Sequence, residues 1–354
     1  MAGSFQFFDR QGRRYQGAAI AYAILGYATG ITGLFAGSWI VNILATLLLS
    51  HAMIIAAYLI HECGHNMVFQ ANRDNARLGR VLSWVCGSAY GTFEDMRFKH
   101  FRHHVDNGDL VWFDHERWFA DHPFVLKVTQ WLEWCYVPAH EVIMHAVMVL
   151  TSFVIPERRD QRRRNVTVII VRTGLYTLLL FYAPTAALLY LVATLAMLIV
   201  LRFMDSIQHD YGGVTTLFDE APGPRKGDLV WEQAHTFSNP LSLKYKPLNW
   251  LVLNFGYHNA HHAKPTVPWF RLPALHRETL GDDPKMVIPF GAQLKIYHRG
   301  RVARIYTGKE KWEEQRKERS PRDDVAYPVG PAFLEAAQHA RVPGGNAASF
   351  LTSF

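Results

Sequence analysis

Eight of the 18 histidines in this 354-residue chain form three short clusters, and they are the residues best suited to chemistry. The first cluster is HECGH, with His61 and His65; the second is HFRHH, with His100, His103 and His104; the third is HNAHH, with His258, His261 and His262. Residues three or four apart on a helix lie on one face, so each cluster can turn its imidazoles toward a common point. Neutral imidazole binds iron, zinc, copper and nickel, so the clusters indicate a metal site.

The number of histidines indicates how many ions such a site would hold. A single zinc ion takes about four ligands, so eight or nine imidazoles suit two ions of higher coordination number. His209 in SIQHDY and His235 in WEQAHTFSNP are candidates for a ninth ligand. Isolated histidines such as His51, His140 and His145 are expected to be ordinary packed or interfacial residues.

Four long apolar blocks must position these clusters. They cover residues 17–35, 38–60, 166–183 and 184–204. Each is close to the roughly 20 apolar residues that cross a bilayer as a helix. Two weaker stretches, 81–93 and 124–155, predict a re-entrant or buried segment and helices lying along the interface. The sequence therefore predicts an all-α integral membrane protein with four transmembrane helices, interfacial helices and a cytosolic helical cap.

Positive charge predicts the orientation of these helices. The chain has 37 Lys and Arg against 30 Asp and Glu, a net charge of +7, and its arginines cluster beside the apolar blocks. Arg10, Arg13 and Arg14 precede the first block, and five arginines between Arg158 and Arg164 precede the third. Two spans separate these groups, so both lie on one side, which should be the cytoplasm. Because membrane orientation explains the basic composition, no nucleic acid partner is expected.

The rest of the composition bounds the domain organisation. Residues 1–319 are expected to form one domain, and residues 320–354, rich in Pro, Gly and Ala, a loose cytosolic tail. The three cysteines, Cys63, Cys86 and Cys135, form no CxxC pair and are expected to be reduced thiols.

The three clusters resemble the histidine boxes of the membrane fatty acid desaturase and hydroxylase superfamily, which have the forms HxxxH, HxxHH and HxxHH. The resemblance covers residues 20–273, including the two helical hairpins that bracket the second cluster. The stretch NFGYHNAHHAKPTVPW, residues 254–269, is especially similar to the sphingolipid delta-4 desaturase branch and to bacterial relatives. The first cluster, HECGH, resembles the delta-12 type.

This resemblance implies two iron ions facing the cytosol of a bacterial inner membrane, with dioxygen as co-substrate and a tunnel for an acyl chain. The acyl substrate would be free, CoA-linked or lipid-linked, and an external donor such as ferredoxin, cytochrome b5 or rubredoxin, with its reductase, would supply electrons. A further histidine upstream of the third cluster joins the ligands in such proteins, and the string HTFSN favours His235 over His209. Asn107, Asp109 and Asp205, together with His209, are then candidates to orient ligand imidazoles.

Several reactions fit such a centre. Desaturation of an acyl chain is favoured, and the alternatives are decarboxylation of a fatty acid to a terminal alkene and hydroxylation of an acyl chain or alkane. Basic residues near the clusters are candidates to meet a carboxylate or phosphate head group, or are interfacial anchors: Arg97, Lys99, Arg102, Lys264 and Arg271. A membrane metal transporter or receptor is the non-enzymatic alternative, although transporters carry ionisable ligands inside their spans, and here the spans contain few.

Overall fold

The computed structural model of the chain describes residues 5–209, 211, 214–217, 225–281 and 287–306. The chain divides into two compact units. Among the described residues, unit 1 consists of residues 5–97 and 143–201, and unit 2 of residues 98–142 and the described residues from 202 to 306. The predicted tail, residues 320–354, lies outside the described residues, and the single domain of residues 1–319 stays a prediction.

Helices form most of the described structure. In chain order the α-helices are α1 (Arg13–Gly33), α2 (Trp39–Gly64), α3 (Asn72–Cys86), α4 (Phe93–Asp106), α5 (His115–Asp121), α6 (Pro123–Trp134), α7 (Ala139–Val154), α8 (Arg162–Tyr182), α9 (Pro184–Asp205), α10 (Leu229–Ala234), α11 (His258–Ala263), α12 (Leu272–Thr279) and α13 (Phe290–Gly300). Short 3-10 helices cover Pro156–Gln161, Lys246–Val252, Trp269–Arg271 and Ala303–Ile305. The predicted helical fold class is confirmed.

A short parallel pair of strands supplements the helices of unit 2. Strand β1 (Asp109–Val111) pairs with β2 (Val214–Thr216), with Asp109 opposite Val214. The pair follows directly after α4 and holds that part of the chain against a distant segment.

Helices α1 and α2 form a hairpin that packs through glycine. A Cβ added at Gly30 would lie 2.7 Å from the Cβ of Leu49, and one at Gly33 would lie 2.6 Å from the Cβ of Ala45. Small residues of this kind let two helix backbones approach closely, as in membrane helix pairs. The turn is closed by Asn42, whose Nδ2 donates a hydrogen bond to Leu34 O at 2.8 Å.

Three helical segments are long and apolar enough to cross a membrane among the residues that the structure describes: Trp39–Gly64, Pro156–Tyr182 and Pro184–Asp205. They coincide with the second, third and fourth predicted spans. The first predicted span corresponds to α1, a helix of 21 residues that begins with two arginines and contains four glycines. The membrane helices are therefore confirmed, and the count of four spans stays a prediction.

The two weaker apolar stretches are also helical for most of their length. Residues 81–93 cover the end of α3 and the loop before α4, and residues 124–155 cover α6 and α7. Helix α6 exposes large aromatic side chains, with Trp131 62 % and Trp134 67 % exposed. Exposed tryptophan is typical of a membrane interface, where α6 stays predicted to lie.

A buried ion network stabilises unit 2. The guanidinium of Arg202, at the end of α9, forms salt bridges with Glu133 and, at 3.6 Å, with Glu141. Arg301, after α13, donates from Nε to Glu133 O (3.1 Å) and from Nη2 to Trp134 O (2.8 Å). Removing one partner of a buried pair costs about 3–5 kcal/mol, so this network fixes α6 and the end of α13 firmly.

Candidate metal centre

The second cluster lies on α4, and both ends of this helix are fixed by polar residues. Thr92 Oγ1 accepts a hydrogen bond from the backbone N–H of Asp95 (3.0 Å) and donates one to Asp95 Oδ2 (2.6 Å), which is a capping box. Asn107, just beyond the helix, has φ +50°, in the left-handed region that ends helices. Between these ends the three histidines follow an i, i+3, i+4 spacing and lie on one face.

The third cluster lies on the short helix α11, which neighbouring segments hold. Asn259 is fully buried, and its Nδ2 donates hydrogen bonds to Gln233 O (3.1 Å) and to Thr236 O. Gly256, before the helix, accepts a hydrogen bond from the backbone N–H of Asn239 at 2.7 Å. A Cβ at position 256 would lie 2.7 Å from Asn239 O, so glycine is needed for this close approach.

Four histidines of unit 2 bring their ring nitrogens together. His103, His209, His258 and His262 each offer one nitrogen, and these atoms all lie within 4.8 Å of one another. Nε2 of His209 lies 2.7 Å from Nε2 of His258 and 3.2 Å from Nε2 of His103. We call these residues the four-histidine group. Its ligand number and type match those of a transition-metal ion.

A second set of histidine nitrogens adjoins this group. Nε2 of His104 lies 3.1 Å from Nε2 of His100 and 3.2 Å from Nε2 of His261. The ring centroid of His104 is also 4.2 Å from that of His262, a member of the four-histidine group. All six histidines of the second and third clusters are thus brought together in unit 2.

The first cluster lies in unit 1, at the carboxyl end of α2. His61 is in the last turn of the helix, His65 is its C-cap, and their ring centroids are 4.8 Å apart. Both side chains are buried. The i, i+4 spacing therefore pairs these two rings as expected, and their joining the histidines of unit 2 stays a prediction.

Two hydrogen bonds fix which nitrogen of the ring is available in the four-histidine group. Nδ1 of His262 lies 2.7 Å from Glu232 Oε1, and Nδ1 of His103 lies 2.8 Å from Gly108 O. Both oxygens accept, so the Nδ1 atoms carry the hydrogens and the lone pairs are on Nε2. A carboxylate behind a histidine fixes the ring and raises the basicity of the nitrogen that faces a metal.

Glu232 was not among the residues that the sequence singled out. It lies on α10, whose start is capped by Asp228, since the Asp228 side chain accepts a hydrogen bond from Trp231 N. It is 30 positions from His262, and no local spacing links the two. The available signal was only an acidic residue on a short amphipathic segment beside HTFSN.

Burial keeps the imidazoles of the group neutral. It lowers the pKa of His103 to about 4 and the pKa values of His209 and His262 well below the usual histidine value. The same burial raises the pKa of Glu232 to about 7. Neutral imidazole is the form that binds a metal ion.

A metal cation would supply a partner for a buried ring nitrogen of His262. Nε2 of His262 is buried, and no residue in the described part of the chain forms a hydrogen bond with it. Such an atom costs about 1–3 kcal/mol, which ligation of a metal ion would remove. The residues therefore fit a transition-metal ion, and their chemistry alone allows iron, zinc, copper or nickel.

The structure differs from the sequence-based preference for the ninth ligand. His209 belongs to the four-histidine group, whereas the favoured His235 belongs to no such group among the described residues. Nδ1 of His235 lies 2.7 Å from Trp231 O, and its ring stacks on that of Trp231. An isolated β-bridge pairs His209 with Thr236, the residue after His235. The HTFSN segment therefore lies beside the four-histidine group, and it is Thr236 that pairs with His209. The sequence signal for His209 was its position directly after a membrane span, as in the first cluster.

Two other candidates for orienting the imidazoles have distinct surroundings. Nδ2 of Asn107 donates to Arg225 O (2.8 Å) and Asp228 O (3.0 Å), which ties the end of α4 to the segment before α10. Oδ1 of Asp109 lies 3.9 Å from Nδ1 of His103. An orienting role for either residue stays a prediction.

A cavity of about 50 Å³ opens among these residues of unit 2. Its lining comprises Lys99, His100, His103, Asp109, Leu110, Asp205, Gln208, His209, Phe255 and His258. A water molecule needs about 10–15 Å³ on this measure, so the cavity has room for a few small molecules. Burial lowers the pKa of Lys99 to about 7, and the charges of Asp109, Glu141 and Asp205 oppose that shift.

Comparison with known proteins gives the site a family. The profile of the fatty acid desaturase family matches residues 37–293, which contain all three clusters. The chain is 24 % identical to the sphingolipid delta(4)-desaturase DES1 of Drosophila melanogaster over 234 residues, 65 % of this chain and 62 % of that relative. The alignment thus spans less than two thirds of the relative's length. The profile match over most of the chain, on a helical membrane scaffold with three histidine clusters, shows that the protein belongs to the fatty acid desaturase family.

Proposed function

We propose that the protein oxidises a fatty acyl chain with dioxygen at two iron ions held by nine histidines. The proposed ligands are His61, His65, His100, His103, His104, His209, His258, His261 and His262. The observation that carries this proposal is the convergence of seven of these rings in unit 2. Four Nε2–Nε2 pairs among six of them are 2.7–3.2 Å apart, and the seventh, His262, belongs to the four-histidine group. Seven imidazoles exceed what a single ion takes, which supports two.

The favoured reaction is desaturation. Iron, when bound, supplies the reduction of dioxygen that makes removal of hydrogen from an unactivated methylene feasible. Two adjacent hydrogens leave the acyl chain, a carbon–carbon double bond forms, and dioxygen with two electrons and two protons becomes two waters. The electrons would come from a separate donor such as ferredoxin, cytochrome b5 or rubredoxin.

The residues of the chain have positioning roles in this proposal. Glu232 and Gly108 hold the rings of His262 and His103 so that Nε2 faces the group. Burial of the histidines keeps bulk water from the reacting atoms. The cavity of about 50 Å³ beside them has room for dioxygen or water.

A second candidate is decarboxylation of a free fatty acid to a terminal alkene. The observation that favours it is Lys99, a buried lysine that lines the cavity together with His103, His209 and His258 and whose protonated form carries a positive charge. A substrate carboxylate near the centre would meet this charge, although Asp109 and Asp205 in the same lining already compensate it. The substrate carboxylate loses carbon dioxide and one hydrogen from its β-carbon, which releases two electrons and one proton. Two further electrons from the external donor and three protons from solvent complete the reduction of one dioxygen to two waters.

The membrane setting is part of the proposal. The protein would be multi-pass, with its histidines facing the cytoplasm of a bacterial cell and its substrate drawn from the bilayer. Three apolar helices support the membrane location. The arginines before the first and third apolar blocks support the orientation.

Metal and product analysis test the proposal together. The purified protein in lipid nanodiscs is expected to hold two irons per chain, and with donor and reductase to convert a labelled acyl panel to products with an internal double bond. A terminal alkene with labelled carbon dioxide, lost in Lys99→Met while iron is retained, would select the second candidate. If the purified protein held zinc alone or no metal, a transporter or receptor would be favoured and the enzymatic proposal would be rejected.

A further inference from the structure

Unit 1 contains a second cavity that is unrelated to the histidines. Its volume is about 630 Å³, and it is open to the surface beside the start of α1. Its lining includes Phe7, Arg10, Gln11, Arg13, Arg14 and Gln70. We call it the arginine pocket.

A short backbone pairing builds one wall of the arginine pocket. Phe7 bridges to Phe69 in antiparallel fashion, and Gln70 N donates to Gln6 O at 2.9 Å. Phe8 N donates to Val68 O at 2.9 Å on the other side of this bridge. The rings of Phe7 and Phe69 are 5.2 Å apart. This pairing holds the N-terminal segment in place and so fixes the backbone from which the following arginines extend.

The charge of the arginine pocket selects an anion. Among the described residues that line it, three are arginine and none is acidic. All three arginines are exposed, so their guanidinium groups remain available to a ligand from outside. Arginine presents a planar fork of donors that matches two oxygens of a phosphate group. Three glutamine amides in the lining, of Gln6, Gln11 and Gln70, add neutral hydrogen-bond donors.

The position of the arginine pocket selects a lipid as the source of that phosphate. Arg13 and Arg14 form the first turn of α1, directly before its apolar stretch. Gln16, one turn on, donates from Nε2 to Met67 O at 3.3 Å, level with the end of the membrane helix α2. Phe5 is 54 % exposed at the pocket, as expected of an aromatic ring at a lipid head-group layer.

We propose that the arginine pocket binds the phosphate of an anionic phospholipid head group from the surrounding bilayer. Basic residues at this level attract anionic lipids, and a pocket adds a defined site to that general attraction. The proposal does not depend on the reaction or the metal, because the pocket shares no residue with the histidine clusters.

Lipid titration followed by native mass spectrometry tests this proposal. The intact protein is expected to bind phosphatidylglycerol roughly a hundredfold more tightly than phosphatidylcholine, because each of the three arginines contributes about fivefold near an anionic lipid surface. The variant Arg10→Gln/Arg13→Gln/Arg14→Gln should lose that preference. A matched triple, Arg117→Gln/Arg277→Gln/Lys295→Gln, removes the same charge from exposed positions of unit 2 and should keep that preference.

Further measurements separate a specific site from general charge and from misfolding. Equal loss of preference in both triples, or retained preference in the arginine triple, would overturn the proposal. The single variant Arg14→Lys keeps the charge but not the fork, and should weaken phosphatidylglycerol binding while unfolding in phosphatidylcholine at the wild-type temperature. If inorganic phosphate or coenzyme A displaced the lipid at equal concentration, the pocket would be a soluble phosphate site and the lipid assignment would be lost.

Discussion

Glu232 determines which nitrogen of His262 can reach a metal ion. Its Oε1 accepts a hydrogen bond from Nδ1–H of His262 at 2.7 Å, and Nε2 of the same ring is buried with a lone pair. Without that contact the ring would be free to turn or to carry its hydrogen on the wrong side. The geometry of the candidate centre therefore depends on a residue outside the three clusters.

The choice between His209 and His235 leads to a prediction at the scale of single residues. Removing a residue that only hydrogen-bonds to a metal ligand lowers metal affinity by roughly 10–100-fold. His209→Ala should lower iron affinity by more than that, because it removes a proposed ligand itself. His235→Ala should retain iron, because the ring of His235 stacks on Trp231 outside the group. Iron per chain after competition with a chelator measures both effects.

The two variants serve as controls for each other. Each variant removes one buried imidazole, and the two histidines lie in segments that pair with each other. Unfolding temperatures measured with chelator present therefore report the loss of side-chain packing without any contribution from the metal. Iron loss confined to His235→Ala would return the ninth ligand to the position that the sequence favoured.

How much of the centre could be predicted from the sequence depends on how local each contact is. The faces of the second and third clusters follow from spacing within one helix, and the structure brings their rings together. The place of His209 beside these rings depends on its pairing with Thr236, and the contact between Glu232 and His262 spans 30 positions. Register between distant segments is set by tertiary packing, which a single sequence does not reveal.

Among the elements, the α1–α2 hairpin has the closest helix packing that we describe. The Cβ that Gly30 lacks would fall 2.9 Å from the Cα of Leu49, so the two backbones leave no room for a side chain. Glycine and alanine contribute close packing in place of apolar bulk.

Two alanine substitutions test this packing. Gly30→Ala should destabilise the protein by about 1–3 kcal/mol, because the added methyl forces α1 and α2 apart. Gly174→Ala, in α8, has nothing within 4 Å of the new Cβ and should be neutral or stabilise by up to about 1 kcal/mol through helix propensity. Thermal unfolding in one detergent compares them, and equal shifts would show that the hairpin tolerates separation.

At the scale of the whole molecule, the proposed orientation can be tested with the protein's own cysteines. Cys135 is exposed, whereas Cys63 and Cys86 are buried, so Cys135 is the thiol expected to react under native conditions. It lies in unit 2, between α6 and α7. A membrane-impermeant maleimide should label it in inverted vesicles and not in right-side-out vesicles.

The labelling result has a direct control. Cys135→Ser should abolish native labelling, and denaturation should restore it through the two buried thiols. Labelling from the outside of right-side-out vesicles would put unit 2 on the opposite side of the bilayer and contradict the positive-inside assignment.

The end of α9 has a mechanical consequence. This apolar helix ends at Asp205, and His209 follows only four positions later, with one nitrogen in the four-histidine group. A spanning helix tilts when the hydrocarbon layer becomes thinner or thicker. Because so few residues link the helix to His209, such a tilt would move the imidazole. Growth temperature and acyl composition change bilayer thickness, and they would therefore change the affinity of the centre for its metal.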